Sequence, residues 1–194
     1  MTQKKSTSTT RAAVGEAGVS AFASPDLSEA GQGLVLIARP KGSASADVVT
    51  FLVDVHCLGV RKVTLSKVPL KALLDDGLSA LRVVPISASE ARGIVEGVVA
   101  FSKKLGFSAP DNLIEGLAVF GGIAPQKPPF DFGKSGRPFY TQQRGDDEDF
   151  VEIVLARLAK SCGESGFGYL LDGPSEDWLD GEGLDSAEDE GGEE

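Results

Sequence analysis

Residues 47–55 read DVVTFLVDV, and no other stretch of the chain restricts its fold as strongly. The run is β-branched and almost continuously apolar. As a strand it therefore sends apolar side chains to both faces of a sheet and requires cover on each. With 194 residues, 41% of them apolar, the chain has material for one such layered core, at the usual allowance of about 100–200 residues per domain.

The flanking segments supply neighbours for that strand. Residues 33–39 (GLVLIAR) predict a partner strand, broken at 40–43 and joined to it as a hairpin. The alternating VRKVTL of 60–65 predicts a third strand with Val60 and Leu65 set inward. Pro69 before Leu70, Leu73 and Leu74 predicts a short amphipathic helix that Gly77 ends. Residues 81–86 (LRVVPI) have strand composition, but Pro85 cannot donate to a ladder, so an extended connector is expected. Ser87 with Glu90 forms a capping box for a helix over 88–105, in which Gly93 and Gly97, one turn apart, leave a smooth face for close packing. A short helix over 112–120, a hairpin over 130–140 turning at Lys134 and Ser135, and a helix over 147–161 complete the reading. The expected fold is α+β: a mixed or mainly antiparallel sheet, a hairpin plus additional strands, covered by three to four helices.

The ends differ in composition from the body. Residues 1–30 are rich in Ser, Thr, Gly and Ala, with too few large apolar side chains to offset ordering entropy, and are expected to be flexible or to lie as a strap on the body. A single domain is expected over 31–171. Residues 172–194 hold eleven acids and no Lys or Arg, a composition that favours disorder. Removing that segment's charge of −11 from the chain's −10 leaves residues 1–171 at +1, so the acidity belongs to the tail and says little about the body's partners.

Several function classes are disfavoured. No run approaches 18 apolar residues, so no membrane span is expected, and the polar start MTQKKSTSTT suggests a cytoplasmic protein. Two cysteines are too few for a disulfide framework, and with a lone histidine they give no zinc site; neither metal nor cofactor is expected. Lys and Arg are too scattered for a phosphate-binding surface, which argues against nucleic acid.

The densest chemical candidate is FLVDVHCLG, with Asp54, His56 and Cys57 as catalytic candidates. On a strand Asp54 and His56 share a face, so the carboxylate is placed to orient the imidazole. Cys57 points the other way unless the strand ends first, and no third member of a nucleophilic set is visible. The competing account is a satisfied strand end with Cys57 as buried filler. An acid at the end of an apolar strand also fits a metal-dependent hydrolase or nuclease, with Asp75, Asp76, Glu90, Glu96 and Asp111 as further acids whose spacing selects no set. The loop FGKSGRP offers Lys134 and Arg137 to an anion, with Tyr140 nearby as a pocket wall, but lacks the spacing of a Walker loop, and a turn with solvated charges explains it better. In the tail, Trp178 and Leu179 interrupt the acids in the format of a docking motif; a solubilising tail that folds its Trp back is the plainer account.

Three stretches, FLVDVHCLGVRKV at 51–63, KKLGFSAPDN at 103–112 and DFGKSGRPFY at 131–140, resemble segments of an uncharacterised family of bacterial proteins. The shared pattern is Val-Asp, two residues and Cys-Leu-Gly-Val in a strand, then a Leu-Gly-Phe helix end, then Phe-Gly followed by Gly and Pro. It covers about 30–155 and maps Asp54, Cys57, Gly59, Gly133, Gly136 and Pro138 onto its positions. The chain departs from it after Tyr140, where Gln142, Gln143 and Arg144 replace an expected Gly-Pro pair. The resemblance implies a shared fold and no activity. A protein-interaction or regulatory role, with another protein as partner, is the expected function; the hydrolase or nuclease is the alternative.

Overall fold

The computed structural model describes residues 18–171. Four strands follow one another as an antiparallel meander: β1 (Ser20–Ala23), β2 (Gln32–Lys41), β3 (Ser45–Asp54) and β4 (Gly59–Pro69). A fifth, β5 (Val84–Ile86), returns to pair with the free side of β1, giving the order β4-β3-β2-β1-β5. β3 lies inside the sheet, as its unbroken apolar run requires. Its Val49, Phe51 and Val53 enter one core layer while Ala46 and Val48 enter another.

Helix α4 (Ala88–Lys104) covers the first face, and its Ala91, Ile94, Val95 and Val98 share a core with Val35, Ile37 and Phe51. The capping box forms as expected: Ser87 Oγ accepts the Glu90 N–H at 3.0 Å. The smooth face is used as well, with the Gln126 backbone against Gly93 and the Phe132 ring against Gly97. Arg92 holds that returning segment by donating to the Gly121 and Ile123 carbonyls at 3.1 and 2.5 Å. The short helix α5 (Leu113–Leu117) and a 3-10 turn (Ala118–Phe120) complete this layer.

The second face is covered by one helical segment, α2 (Leu70–Ala72), a π turn (Leu73–Gly77) and α3 (Leu78–Ala80). There Leu73 meets Phe22, Leu36, Ala38, Ala46 and Val48. A third apolar cluster, with Cys57, Leu58, Leu105, Tyr140, Val151, Val154 and Leu158, gathers around α6 (Glu148–Cys162) and β6 (Phe139–Thr141). β6 pairs in parallel with β7 (Gly168–Leu170). Asp147 caps α6 by accepting the Phe150 N–H at 2.8 Å.

The α+β class and the mostly antiparallel sheet agree with the sequence reading; several local expectations do not. Order begins before Gly31: β1 lies between β2 and β5, and α1 (Leu27–Ala30) follows it with Leu27 in the core. The helix after Pro69 runs past Gly77 through the π turn. Residues 84–86 do form a strand, tolerable because β5 is an edge and the missing Pro85 N–H breaks no inner ladder. Leu65, paired with Val49, stays 41% exposed. Lys134 and Arg137 do exchange backbone hydrogen bonds around a tight turn with Ser135 and Gly136 at φ 53° and 76°, but the strand that follows pairs with β7 and not with 130–132. Residues 1–17 and 172–194, with Trp178 and the expected acidic tail, lie outside the described residues.

Candidate functional site

β3 ends at Asp54, and residues 55–58 form a turn that delivers the chain to β4. The turn is built on the Asp54 side chain. Its Oδ1 accepts the backbone N–H groups of His56 and Cys57, both at 2.9 Å, and its Oδ2 accepts from Gln32 Nε2 at 3.2 Å, from the residue opposite in β2. Burial pushes the Asp54 carboxyl above the usual carboxylate range; the N–H groups of Cys57, His56 and Leu58 and the nearby His56 oppose that rise in part.

Because the strand stops at Asp54, His56 does not stand beside it on a common face. The expected carboxylate–imidazole pair is replaced by a bond from the His56 backbone to Asp54. The ring instead reaches α1, with Nε2 2.9 Å from the Ser28 carbonyl oxygen, and lies edge-on to Phe139 at 6.5 Å between centroids. Gly31, at φ 78°, makes room: a Cβ there would overlap the imidazole. The His56 carbonyl accepts the Phe139 N–H at 3.1 Å. His56 thus ties α1 and β6 to the turn.

Cys57 points into the third cluster and is fully buried. Burial pushes its thiol far above the ordinary value, with the Asp54 charge adding to the rise, so the sulfur stays protonated and is a poor nucleophile. Asp54, His56 and Cys57 are therefore neighbours whose side chains serve three different contacts. Between them and Phe139 and Thr141 there is only a surface dent, without room for a small molecule.

Among the described residues no group of three or more His, Cys, Asp or Glu is arranged to hold a metal ion. Glu96 instead pairs with Arg92 at 2.6 Å.

Lys134, Arg137 and Tyr140 do not converge either. Lys134 Nζ lies 4.4 Å over the Phe139 ring, and Arg137 donates to the Ser165 carbonyl. Tyr140 is buried and donates its hydroxyl to Asp146 Oδ2 at 2.8 Å; burial and this bond push its phenol above the ordinary value. Asp146 also accepts from Arg61 Nη2 at 2.9 Å and from the Gln143 N–H at 3.0 Å. Burial alone would raise its carboxyl; these donors outweigh it and hold the group below the usual range. This network locks the loop between β6 and α6.

One open feature escaped the sequence reading. A groove of about 200 Å³ runs between the β1–α1 connection, β5, α4 and Phe130. Ala23, Leu27, Val84, Ile86, Ile94 and Phe130 supply apolar walls, and Glu90 is the ionisable residue among them. Its walls come from four separated segments, one of them in a region read as flexible, so no local pattern marks it.

The chain matches no protein-family model, no curated protein and no solved structure. No helix among the described residues is long and apolar enough to cross a membrane.

Proposed function

We propose that the chain is a cytoplasmic protein-interaction or regulatory protein that holds a short segment of a partner protein in the groove beside β5. The observation that carries this reading is a contrast. Asp54, His56 and Cys57 have their side chains committed to the turn, to α1 and to the core, whereas the groove leaves Val84 exposed and Ile86 and Phe130 partly exposed over a floor of buried Ala23, Leu27 and Ile94. At about 200 Å³ it is smaller than the roughly 300–1,000 Å³ of typical small-ligand pockets, which suits one or two peptide side chains better than a cofactor.

The walls define the partner's chemistry: an apolar anchor for Ile86, Ile94 and Phe130, and a Lys or Arg to meet Glu90. Pro85 removes a donor from the β5 edge, so recognition rests on side chains more than on added ladder bonds. Nucleic acid fits poorly, because Arg39, Arg61, Arg92 and Arg137 are engaged by partners within the fold.

Selection of peptides from a displayed library on the intact protein tests the reading. It expects enriched sequences with an apolar anchor and a cation, binding that falls at least tenfold in Val84→Arg, and a smaller loss in Glu90→Gln. Peptides that bind Val84→Arg as well as the parent protein, or no enrichment at all, contradict it.

A further inference from the structure

β4 is an outer strand of the sheet, and only part of its free edge is occupied. The Leu70 N–H donates to the Ala44 carbonyl at 3.0 Å, and by the alternation of an antiparallel ladder the backbone groups of Lys62, Thr64, Ser66 and Val68 also turn toward β3. Those of Val63, Leu65 and Lys67 therefore turn outward, and Asn112 Nδ2 meets the Val63 carbonyl from that side at 3.0 Å. Nearer the start of the strand, Arg61 is tied to Asp146. Past Val63 the edge is bare. The outward N–H and C=O groups of Leu65 and Lys67 have no hydrogen-bond partner among the described residues. Pro69, which has no N–H to offer, closes the open ladder at its far end.

The side chains along this edge divide by face. Leu65, opposite Val49, lies on the first face and is 41% exposed; Ile114, two residues past Asn112, is 82% exposed. Lys67 shares that face and stands directly opposite Asp47. Lys62, Thr64 and Ser66 lie on the second face and are exposed, and exposed Lys71 follows just past the strand. Lys62 and Lys71 have no carboxylate partner among the described residues, and no Asp or Glu occurs in the sequence between Asp54 and Asp75.

Free ladder groups accept another strand, and the lysines select which one. A second copy of this edge would set lysines against lysines, the arrangement that guards natural sheets from edge-to-edge pairing. An acidic strand meets the same lysines with opposite charge. Every pairing within the five-stranded sheet is antiparallel, and in an antiparallel addition the residues bonded to Leu65 and Lys67 share the first face with them.

We propose that the 65–67 edge of β4 accepts an extended acidic segment of a partner protein as an added antiparallel strand in which acids alternate with β-branched residues. Its backbone bonds Leu65 and Lys67, its apolar side chains lie along Leu65 toward Ile114, and its acids lie on the second face beside Lys62 and Lys71. The strand order puts this site at the opposite edge of the sheet from the groove beside β5, and the two are independent.

A capped peptide of about seven residues alternating Glu and Val, titrated into the intact protein, tests the proposal. The Leu65 and Lys67 amides are expected to shift and to gain protection from hydrogen exchange, while the methyl resonances of Ile86 and Ile94 in the groove stay in place. N-methylation of the peptide's valines removes the donors that face β4 and weakens binding by about tenfold or more; N-methylation of its glutamates leaves binding intact. The double variant Lys62→Glu with Lys71→Glu loses the Glu-Val peptide by a similar factor and accepts a Lys-Val peptide in its place. Unmoved Leu65 and Lys67 amides, a valine-methylated peptide that binds as well as the parent peptide, or shifts at Ile86 and Ile94 instead would each overturn it. So would amides of Leu65 and Lys67 that are protected before any peptide is added: protection independent of protein concentration assigns the edge to the chain itself, and protection that grows with concentration assigns it to a second copy.

Discussion

Asp54 Oδ1 accepts the backbone N–H of Cys57 at 2.9 Å, closing the turn that takes the chain from β3 to β4. The same oxygen takes the His56 N–H, so one carboxylate satisfies two donors that have left the ladder and would otherwise be buried without partners. The turn fixes the directions of the two side chains that follow: imidazole toward α1, thiol toward α6.

The role of Asp54 separates its amide from its alanine variant. Asp54→Asn keeps an acceptor oxygen and removes a buried charge, so it changes stability by about 1 kcal/mol or less. Asp54→Ala leaves two buried N–H groups unsatisfied and lowers stability by about 2–4 kcal/mol, measured by urea unfolding.

Asp54 and Asp146 respond to acid in opposite senses. The Asp54 carboxyl is raised in the fold, so its contribution is full below the ordinary carboxylate pKa and is lost as pH rises through the folded value. Asp146 is lowered, so its contribution is present above the ordinary carboxylate pKa and is lost as pH falls through the folded value. As pH drops from neutral, the stability of the parent protein relative to Asp54→Asn rises, and relative to Asp146→Asn falls. Unfolding curves over a pH series check both slopes.

The Asp146 network predicts unequal losses from its two side-chain donors. Tyr140→Phe removes one hydrogen bond to a charged group and costs about 1.5–3 kcal/mol. Arg61→Ala leaves a carboxylate whose side chain is 4% exposed without its cation and costs roughly 3 kcal/mol. Thermal melts of the two variants at neutral pH measure the difference.

Gly93 and Gly97 predict a reversal of ordinary helix propensity. Alanine at either site gains about 1 kcal/mol as a helix former. At Gly93 the new Cβ overlaps the Gln126 backbone, which is held by the Gln126 N–H to Ser89 carbonyl bond, so Gly93→Ala is destabilising by about 1–3 kcal/mol. At Gly97 the obstacle is the tip of the Phe132 ring, 2.6 Å from the built Cβ, which can rotate aside, so Gly97→Ala costs less. Denaturant midpoints rank the two.

Where local pattern and tertiary setting agree, the sequence was readable. The β2–β3 hairpin, β4, the capped helix α4 and α6 all follow from periodicity and caps that need no knowledge of their neighbours. β1 did not, because SAFA is four residues long with two alanines, and it is a strand only because β2 and β5 flank it. Pro85 argues against a strand at β5 by a rule that holds inside a sheet and relaxes at its edge. At the candidate site period-two alternation extends the strand through His56 and sets the imidazole beside the carboxylate, whereas the aspartate ends the strand two residues earlier by bonding the backbone two and three positions on. The Lys134 turn was legible from its glycines, but the partner of the following strand, β7, gave no signal beside an acidic tail.

The most direct measurement is the affinity of a library-selected peptide for the intact protein and for two variants, Val84→Arg and Asp54→Asn, with methyl resonances of Ile86 and Ile94 followed through each titration. Binding by the groove predicts that Asp54→Asn keeps the parent affinity, that Val84→Arg loses at least tenfold, and that Ile86 and Ile94 shift on binding. Affinity that falls in Asp54→Asn while Val84→Arg binds normally, with Ile86 and Ile94 unmoved, would contradict the account and return the site to Asp54.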